Sequence, residues 1–398
     1  MKSTQEYKDL EKKYYMQVVN RMSPVLVEGH GTVVTDNDGK DYLDFTAGWA
    51  VLNLGHSHEY VTEAIKDQAG KILQMSNLFY TTPQLSLAQT IVDNSAIDRV
   101  FFCNSGAEAN EGAAKLARKW GKKKLNGAFE IITTLNSFHG RTQAMMAATG
   151  QPHYQDNWRP LMPGFVNVDY NDIKKIEEAY NENTCAVMIE PLQGEGGVNI
   201  PYENYLKEVQ EFCKSKNILF ILDEVQTGMG RLGTLFGYQR FEGVEPDVMT
   251  LAKALGSGAP LGAFCSKEFC SVLEPGDHGS TFGGNALTTA AGAAAAKFMV
   301  DNNVAKSALE SGNYMMEKLT GLKENYPFIT EVRGMGLLIG LEMSQDFSSK
   351  IVGESLDKGL LINAVRPNMI RFMPPLNVSK EEIDKAIEII NSILESLE

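Results

Sequence analysis

No run of eighteen apolar residues occurs in the chain, so it offers no membrane-spanning helix. Basic residues are in deficit: 37 Lys and Arg face 50 Asp and Glu, for a formal charge of −13. At long range such a surface repels nucleic acid and anionic membranes, which are excluded as main partners; a local basic pocket can still hold a small anion. Cysteine is sparse and odd in number, five in 398 residues, which does not make a disulfide framework. The closest pair, Cys265 and Cys270, is accompanied by no histidine ligand, so no metal site is expected. The first fifteen residues mix acids with lysines around no apolar core, unlike a signal or transit peptide. Internal repeats and low-complexity tracts are missing too. What remains is a soluble, cytoplasmic protein, too long for one small core and expected to fold as two or three units.

Through the middle of the chain, short apolar runs alternate with amphipathic stretches. DRVFFCNSG, GAFEIITTLNS, TCAVMIEPLQG, NILFILDEVQTG and PDVMTLAKALG each hold a β-branched or aromatic run that ends in polar or glycine-rich residues. EANEGAAKLARKWGKKK and YENYLKEVQEFCKSKN between them have helical periodicity. This alternation predicts an α/β fold with a mainly parallel central sheet covered by helices on both faces. The ends read differently, as a helix and a hairpin around DNDGK near the start and an α+β pattern near the finish. The predicted division is an N-terminal segment 1–50, a large α/β domain 51–295 and a C-terminal part 296–398, with a smaller α+β domain drawn from both termini.

Ligands of parallel sheets bind at the carboxyl ends of the strands, so the residues after each apolar run come first. Ser105, Gly106 and Ala107 stand between a strand and a helix, where free backbone N–H groups can receive a phosphate; a plain turn capped by serine fits the same pattern. Asp223 and Glu224 follow five apolar residues, and one of the two should face the crevice while the other faces away. Lys253 ends another buried run, where a lysine either snorkels outwards or is chemically employed. Arg141 and Arg371 suit carboxylates, although either could be a surface ion pair. GMGRLG at 228–233 matches G-x-G-x-x-G, but no crossover helix follows it, so a mobile glycine-rich loop is expected there and not a dinucleotide site. A phosphate cup, an acid, a buried lysine and arginines together suggest a pyridoxal-phosphate site.

Longer words extend this set: LDFTAGWAVLNLGHSH, QMSNLFYT, FFCNSGAEANE, NSFHGRT, ATGQPHY, IEPLQGEGG, LDEVQTGMGRLG, LAKALGSGAPLGA, HGSTFGGNAL and VRGMGLLIGLE. In these the chain resembles the class III (subgroup II, fold type I) aminotransferases over nearly its whole length, and within them the enzymes that act on N2-acetylornithine. The resemblance implies pyridoxal 5'-phosphate as cofactor and a homodimer with shared active sites. It implies that Lys253 holds the cofactor covalently, Asp223 pairs with its pyridinium nitrogen and Gln226 with its phenolic oxygen. Ser105, Gly106 and Ala107 would bind the phosphate, joined by Thr281 from the partner subunit, and Phe138 would stack on the ring. Arg371 would bind the α-carboxylate of glutamate or 2-oxoglutarate, with Glu195 covering it when an ω-amino donor is bound. Arg141 would bind a distal carboxylate, Ser280 would touch substrate and Glu190 would lie beside the cofactor. The implied reaction moves the δ-amino group of N2-acetylornithine to 2-oxoglutarate, in arginine biosynthesis. Ornithine, N-succinyl and 4-aminobutyrate donors or an aminomutase are the alternatives. One departure stands out: enzymes acting on acetylornithine often carry a tyrosine four residues before the proline of the N-terminal segment, and here Asn20 precedes Pro24, with Arg21 beside it.

Overall fold

A computed structural model describes residues 2–397. After a helix at Thr4–Tyr14, strands β1 (Leu26–His30), β2 (Val33–Asp36) and β3 (Asp41–Asp44) form an antiparallel meander. Its DNDGK turn closes as its residues demand. Asp36 Oδ1 accepts from the Asp38 and Lys40 N–H groups at 2.9 Å each, and Gly39 takes a φ of 82°.

The centre of the molecule is a seven-stranded sheet of β4 (Arg99–Cys103), β5 (Glu130–Thr134), β6 (Phe165–Val168), β7 (Thr184–Ile189), β8 (Leu219–Asp223), β9 (Val248–Leu251) and β10 (Gly262–Ser266). Their spatial order is β4-β10-β9-β8-β7-β5-β6; β10 runs antiparallel to both neighbours and the other pairings are parallel. β7 and β8 are buried at every position, as continuous apolar runs between two helical layers require. Side-chain alternation sorts β8 between two cores. Phe220 and Leu222 join the core under helix Tyr205–Lys216, while Leu219 and Ile221 join the one under helix Gly106–Lys124.

The C-terminal strands are β11 (Ile329–Met335), β12 (Leu338–Met343), β13 (Leu360–Leu361), β14 (Asn363–Arg366) and β15 (Met369–Phe372). Four of them form a sheet of order β11-β12-β15-β14, and β13 pairs in parallel with β3. The two ends of the chain therefore share one core, in which Leu43 and Phe45 pack with Ile339, Ile370 and Phe372. Among the described residues no helix is long and apolar enough to cross a membrane.

The segment 228–233 departs from the mobile loop expected of it. It is buried from Gly228 to Leu232 and half-buried at Gly233, and a short 3-10 turn at Gly237–Arg240 follows it. Arg231 is fully buried and donates to the backbone oxygens of Leu337 and Pro374 and to Asn53 Oδ1, tying three distant parts of the chain together. Gly233, at φ 93°, lets the segment pass where a Cβ would lie 2.9 Å from that of Leu309.

Candidate active site

The carboxyl ends of the parallel strands open into a cavity of about 420 Å³. Ser105, Gly106, Ala107, Phe138, Arg141, Glu190, Glu195, Asp223, Gln226 and Lys253 all line it. Each arrives from a turn that directly follows or ends a strand: 104–107 after β4, 138–141 after β5, 190–195 after β7, 223–226 at the end of β8 and 252–253 after β9.

Parity along β8 decides between the two acids. Asp223 continues the Leu219–Ile221 side and meets helix Gly106–Lys124, where Asn110 Nδ2 donates to Asp223 Oδ2 at 2.7 Å. His139 Nδ1 lies 2.8 Å from the same oxygen, which assigns the proton to Nδ1. Glu224 turns the other way, out of the cavity, and accepts from Thr227 Oγ1 and from the Gly237 and Tyr238 N–H groups. Burial pushes its carboxyl up to about 7 against those three donors.

Lys253 sits at a φ of 47°, a left-handed backbone that a lysine adopts only when its surroundings hold it there. Its Nζ has no hydrogen-bond or ion-pair partner among the described residues. Burial drives its pKa down from the ordinary lysine value, and the Arg371 cation adds to that while Glu195, Asp223 and Glu190 oppose it. A neutral amine is therefore within easier reach at this position than in water.

The acids respond in opposite directions. Burial pushes Glu190 well above the ordinary carboxylate range, and the charge of Asp223 adds to the shift; its Oε2 accepts from the Phe138 N–H at 3.2 Å. Burial acts upwards on Glu195 too, but the Arg371 and Lys253 cations more than reverse it and bring the carboxyl to about 2. Arg371, on β15, is wholly buried, and its Nη1 donates to Glu195 Oε1 at 2.8 Å. Gln226 joins the pair, donating to Glu195 Oε1 at 3.2 Å and accepting from Arg371 Nη1 at 3.4 Å. Gly194 makes this possible, because a Cβ there would lie 1.6 Å from Gln226 Oε1. Arg371 Nη2 has no acceptor among the described residues.

At the mouth, Arg141 is exposed and lies over the Tyr154 ring at 3.8 Å and the Phe138 ring at 5.5 Å. It faces no carboxylate among the described residues. Residues 47–50 form one left-handed turn, with φ between 46° and 63°, closed by the Ala50 N–H to Thr46 O bond at 3.0 Å. Such a turn costs an L-residue about 1–2 kcal/mol. It brings Val51 into the cavity wall, while Trp49 remains 58% exposed.

Three predicted residues lie outside this wall: Thr281, Ser280 and Arg371, the last reaching it through its bonds to Glu195 and Gln226. Thr281 is exposed, its carbonyl accepting from Gln74, and Ser280 Oγ accepts from Asn104 Nδ2 at 3.2 Å beside the cavity. Among the lining residues to which the sequence reading gave no role are Asn110, His139 and Val51. His139 lies inside the quoted word NSFHGRT, and Asn110 stands one helical turn beyond Gly106, on the same face.

The site fits pyridoxal phosphate on its own terms. The N–H groups of Gly106 and Ala107, at the start of a nineteen-residue helix, have no acceptor among the described residues, as a phosphate requires. A Cβ on Gly106 would lie 2.9 Å from Val225 Cγ1, so the helix start and the β8 turn converge too closely for a side chain. Asp223 is an acid pinned by three donors, Asn110 Nδ2 and His139 Nδ1 on Oδ2 and the Val225 N–H on Oδ1, and it lines the cavity that holds Lys253. Among the described residues no group of three or more His, Cys, Asp and Glu side chains is arranged to hold a metal ion.

Comparison with known proteins agrees with this geometry. The family described as Aminotransferase class-III matches residues 14–394. An acetylornithine aminotransferase of Methanocaldococcus jannaschii is 50% identical over 98% of both chains. One of Caldanaerobacter subterraneus is 48% identical over 97% of this chain and 98% of its own. Among solved structures, an ornithine aminotransferase of Toxoplasma gondii superposes with a TM-score of 0.95 at 34% identity, covering 100% of this chain and 96% of that one. An acetylornithine aminotransferase of Elizabethkingia anophelis superposes at 0.88, also at 34% identity, over the whole of both chains. A matching family over nearly the whole length, together with a lysine and an acid meeting above a phosphate cup, makes this chain a member of the class-III aminotransferases, with pyridoxal 5'-phosphate as its cofactor.

Proposed function

We propose that the protein transfers the δ-amino group of N2-acetylornithine to 2-oxoglutarate, giving N-acetylglutamate 5-semialdehyde and glutamate, as a cytoplasmic homodimer in arginine biosynthesis. The observation that carries this reading is the Glu195–Arg371 pair at the wall of a cavity that also holds Arg141, which faces no carboxylate among the described residues. The site must admit an uncharged chain end in one half of the cycle and a carboxylate in the other, and an arginine covered by a movable acid answers both needs. The names of the relatives at 48% and 50% identity support acetylornithine as the donor.

When bound, pyridoxal phosphate supplies an electrophilic carbonyl carbon and a ring that accepts the electron pair left when the substrate C–H bond breaks. The residues around it then have distinct tasks. The Gly106 and Ala107 N–H groups and Ser105 anchor the phosphate, and Phe138 covers the ring. Asp223, oriented by Asn110 and His139, holds a proton on the ring nitrogen. Lys253 Nζ would take the proton from the amino-bearing carbon of the substrate and deliver it to the carbon that was the cofactor's carbonyl, a transfer that its lowered pKa favours. Glu195 stays over Arg371 while the amine donor reacts and leaves when the α-carboxylate of 2-oxoglutarate or glutamate arrives. Arg141 binds the carboxylate at the far end of the substrate. Glu190, whose carboxyl burial and the nearby Asp223 push upwards, has less tendency to carry a charge that would compete with Asp223. The two half-reactions share one site, so the kinetics are ping-pong.

A second copy of the chain is supported by exposed apolar side chains beside Thr281. Leu78, Phe79 and Tyr80 are 85%, 60% and 92% exposed and Phe282 is 62% exposed, with Asn77 Nδ2 donating to the Ser280 and Gly283 carbonyls between them. Burying this patch against a partner would carry Thr281 towards the partner's phosphate cup. Five buried cysteines without a disulfide suit a reducing compartment.

The test is a donor half-reaction. The holoenzyme is mixed with N2-acetylornithine, ornithine or 4-aminobutyrate, and the visible band of the bound cofactor is followed. Fastest loss with acetylornithine, reversed by 2-oxoglutarate, is expected; faster loss with either other amine would replace the donor, and loss with none would overturn the reaction.

A further inference from the structure

A second cleft of about 470 Å³ lies at the mouth of the site, lined by Val18, Val19, Arg141, Gln143, Met146 and Trp158. Arg141 alone borders both this cleft and the cavity that holds Lys253. Apart from Arg141 its walls are uncharged, and Arg159, next to Trp158, is already paired with Asp156. Val18, Val19 and Trp158 are 77%, 52% and 55% exposed, apolar surface that the chain itself leaves uncovered. The Gln143 amide has no hydrogen-bond partner among the described residues.

We infer that this cleft is the subsite for the N2-acyl group of the donor, and that it selects a small uncharged acyl group. The inference rests on the proposed reaction and deepens it. In an N2-acyl amino acid the acyl amide and the α-carboxylate hang on one carbon. Arg141 holds the carboxylate while the remaining chain runs inwards to Lys253, so the acyl group is left on the Arg141 side that opens to Val18, Val19, Met146 and Trp158. The methyl of an acetyl group meets apolar walls there, and its amide finds the free Gln143 side chain. A succinyl group would bring a second carboxylate against valines and a tryptophan, with the one cation already engaged. The N-terminal segment takes part through Val18 and Val19; Asn20 and Arg21 lie outside the lining, and Arg21 is spent on Glu11 at 3.4 Å.

The test compares kcat/KM for N2-acetylornithine, ornithine and N2-succinylornithine in the wild-type holoenzyme and in Val19→Asp, Trp158→Ala and Val19→Arg. Both altered positions are exposed, and cofactor absorbance and circular dichroism verify that each variant is folded and loaded. The acetylornithine-to-ornithine ratio should fall about tenfold or more in Val19→Asp and in Trp158→Ala, the scale at which a pocket reads a small apolar group. In Val19→Arg the succinyl-to-acetyl ratio should rise by a similar factor. If the wild-type enzyme uses acetylornithine and these ratios stay within about twofold of wild type, the cleft is not the acyl subsite and the proposed reaction stands. If the wild-type enzyme does not use acetylornithine, the proposed reaction itself falls, and the subsite with it.

Discussion

Glu195 Oε1 lies 2.8 Å from Nη1 of Arg371, a partly exposed carboxylate capping a guanidinium that is wholly buried. The two residues are 176 positions apart, one in the turn after β7 and the other on β15. Their contact joins the central sheet to the C-terminal sheet at the cavity wall that Glu195 forms. Nε and Nη1 of Arg371 have acceptors, and Nη2 has none among the described residues.

Glu195→Gln keeps a hydrogen-bonding group and removes the charge. The rate of the glutamate half-reaction relative to the δ-amine half-reaction should rise about tenfold, or about 1.4 kcal/mol, in stopped-flow absorbance. An unchanged ratio would mean that the pair is not a gate. Stability supplies a second reading. A carboxyl held at about 2 against an ordinary 4.5 contributes stability that is complete above pH 4.5 and is lost as pH falls towards 2. The stability difference between wild type and variant should therefore be flat at neutral pH and shrink in acid.

Asp223→Asn should slow C–H cleavage by about 10²- to 10⁴-fold while leaving the protein folded, as read by single-turnover absorbance and a deuterated donor. In either orientation the amide would set its NH2 against a donor, Asn110 Nδ2 and His139 Nδ1 at the Oδ2 place or the Val225 N–H at the Oδ1 place. Cofactor affinity should drop as well. A normal single-turnover rate would remove Asp223 from the mechanism.

Lys253→Ala should reduce turnover by at least about 10³-fold, with partial recovery on adding a small primary amine. Retained steady-state activity would refute a catalytic lysine here. Burial disfavours the charged amine, so below its lowered pKa the cation costs stability, and the cost fades as pH rises towards 10.5. The cofactor-free Lys253→Met variant should accordingly melt higher than cofactor-free wild type at neutral pH.

Arg231→Ala should cost about 3 kcal/mol or more in urea unfolding, because charged hydrogen bonds to Leu337, Pro374 and Asn53 are lost inside the protein. Midpoints matching wild type would show that the clamp is dispensable. The cofactor spectrum of the folded fraction should not change, since Arg231 lies outside the cavity lining.

The α/β architecture was legible in the sequence because apolar periodicity is a local property. β7 and β8 read as continuous buried strands, and both are. The positions of Lys253 and Asp223 just beyond such strands were legible for the same reason, as was the expectation that only one of Asp223 and Glu224 faces the crevice. The character of 228–233 was not legible: three glycines in six residues suggest a loose loop, and only the packing of Leu309 and the carbonyls around Arg231 make the segment a clamp.

What the sequence by itself determined is the chemistry on offer: a strand-end lysine, a strand-end acid, a small-residue helix start and arginines suited to carboxylates. What only the tertiary structure decided is which of these meet. Asn110 and His139 reach Asp223 from 113 and 84 residues away, and the three share a hydrogen-bonded acid only because a helix and a turn converge on one strand end. Arg371 meets Glu195, and Val18 and Val19 meet Arg141, by the same long-range folding of both chain ends over the central sheet. The physical reason is that periodicity and propensity act over a few residues, while distances between charges are set by the packing of whole layers.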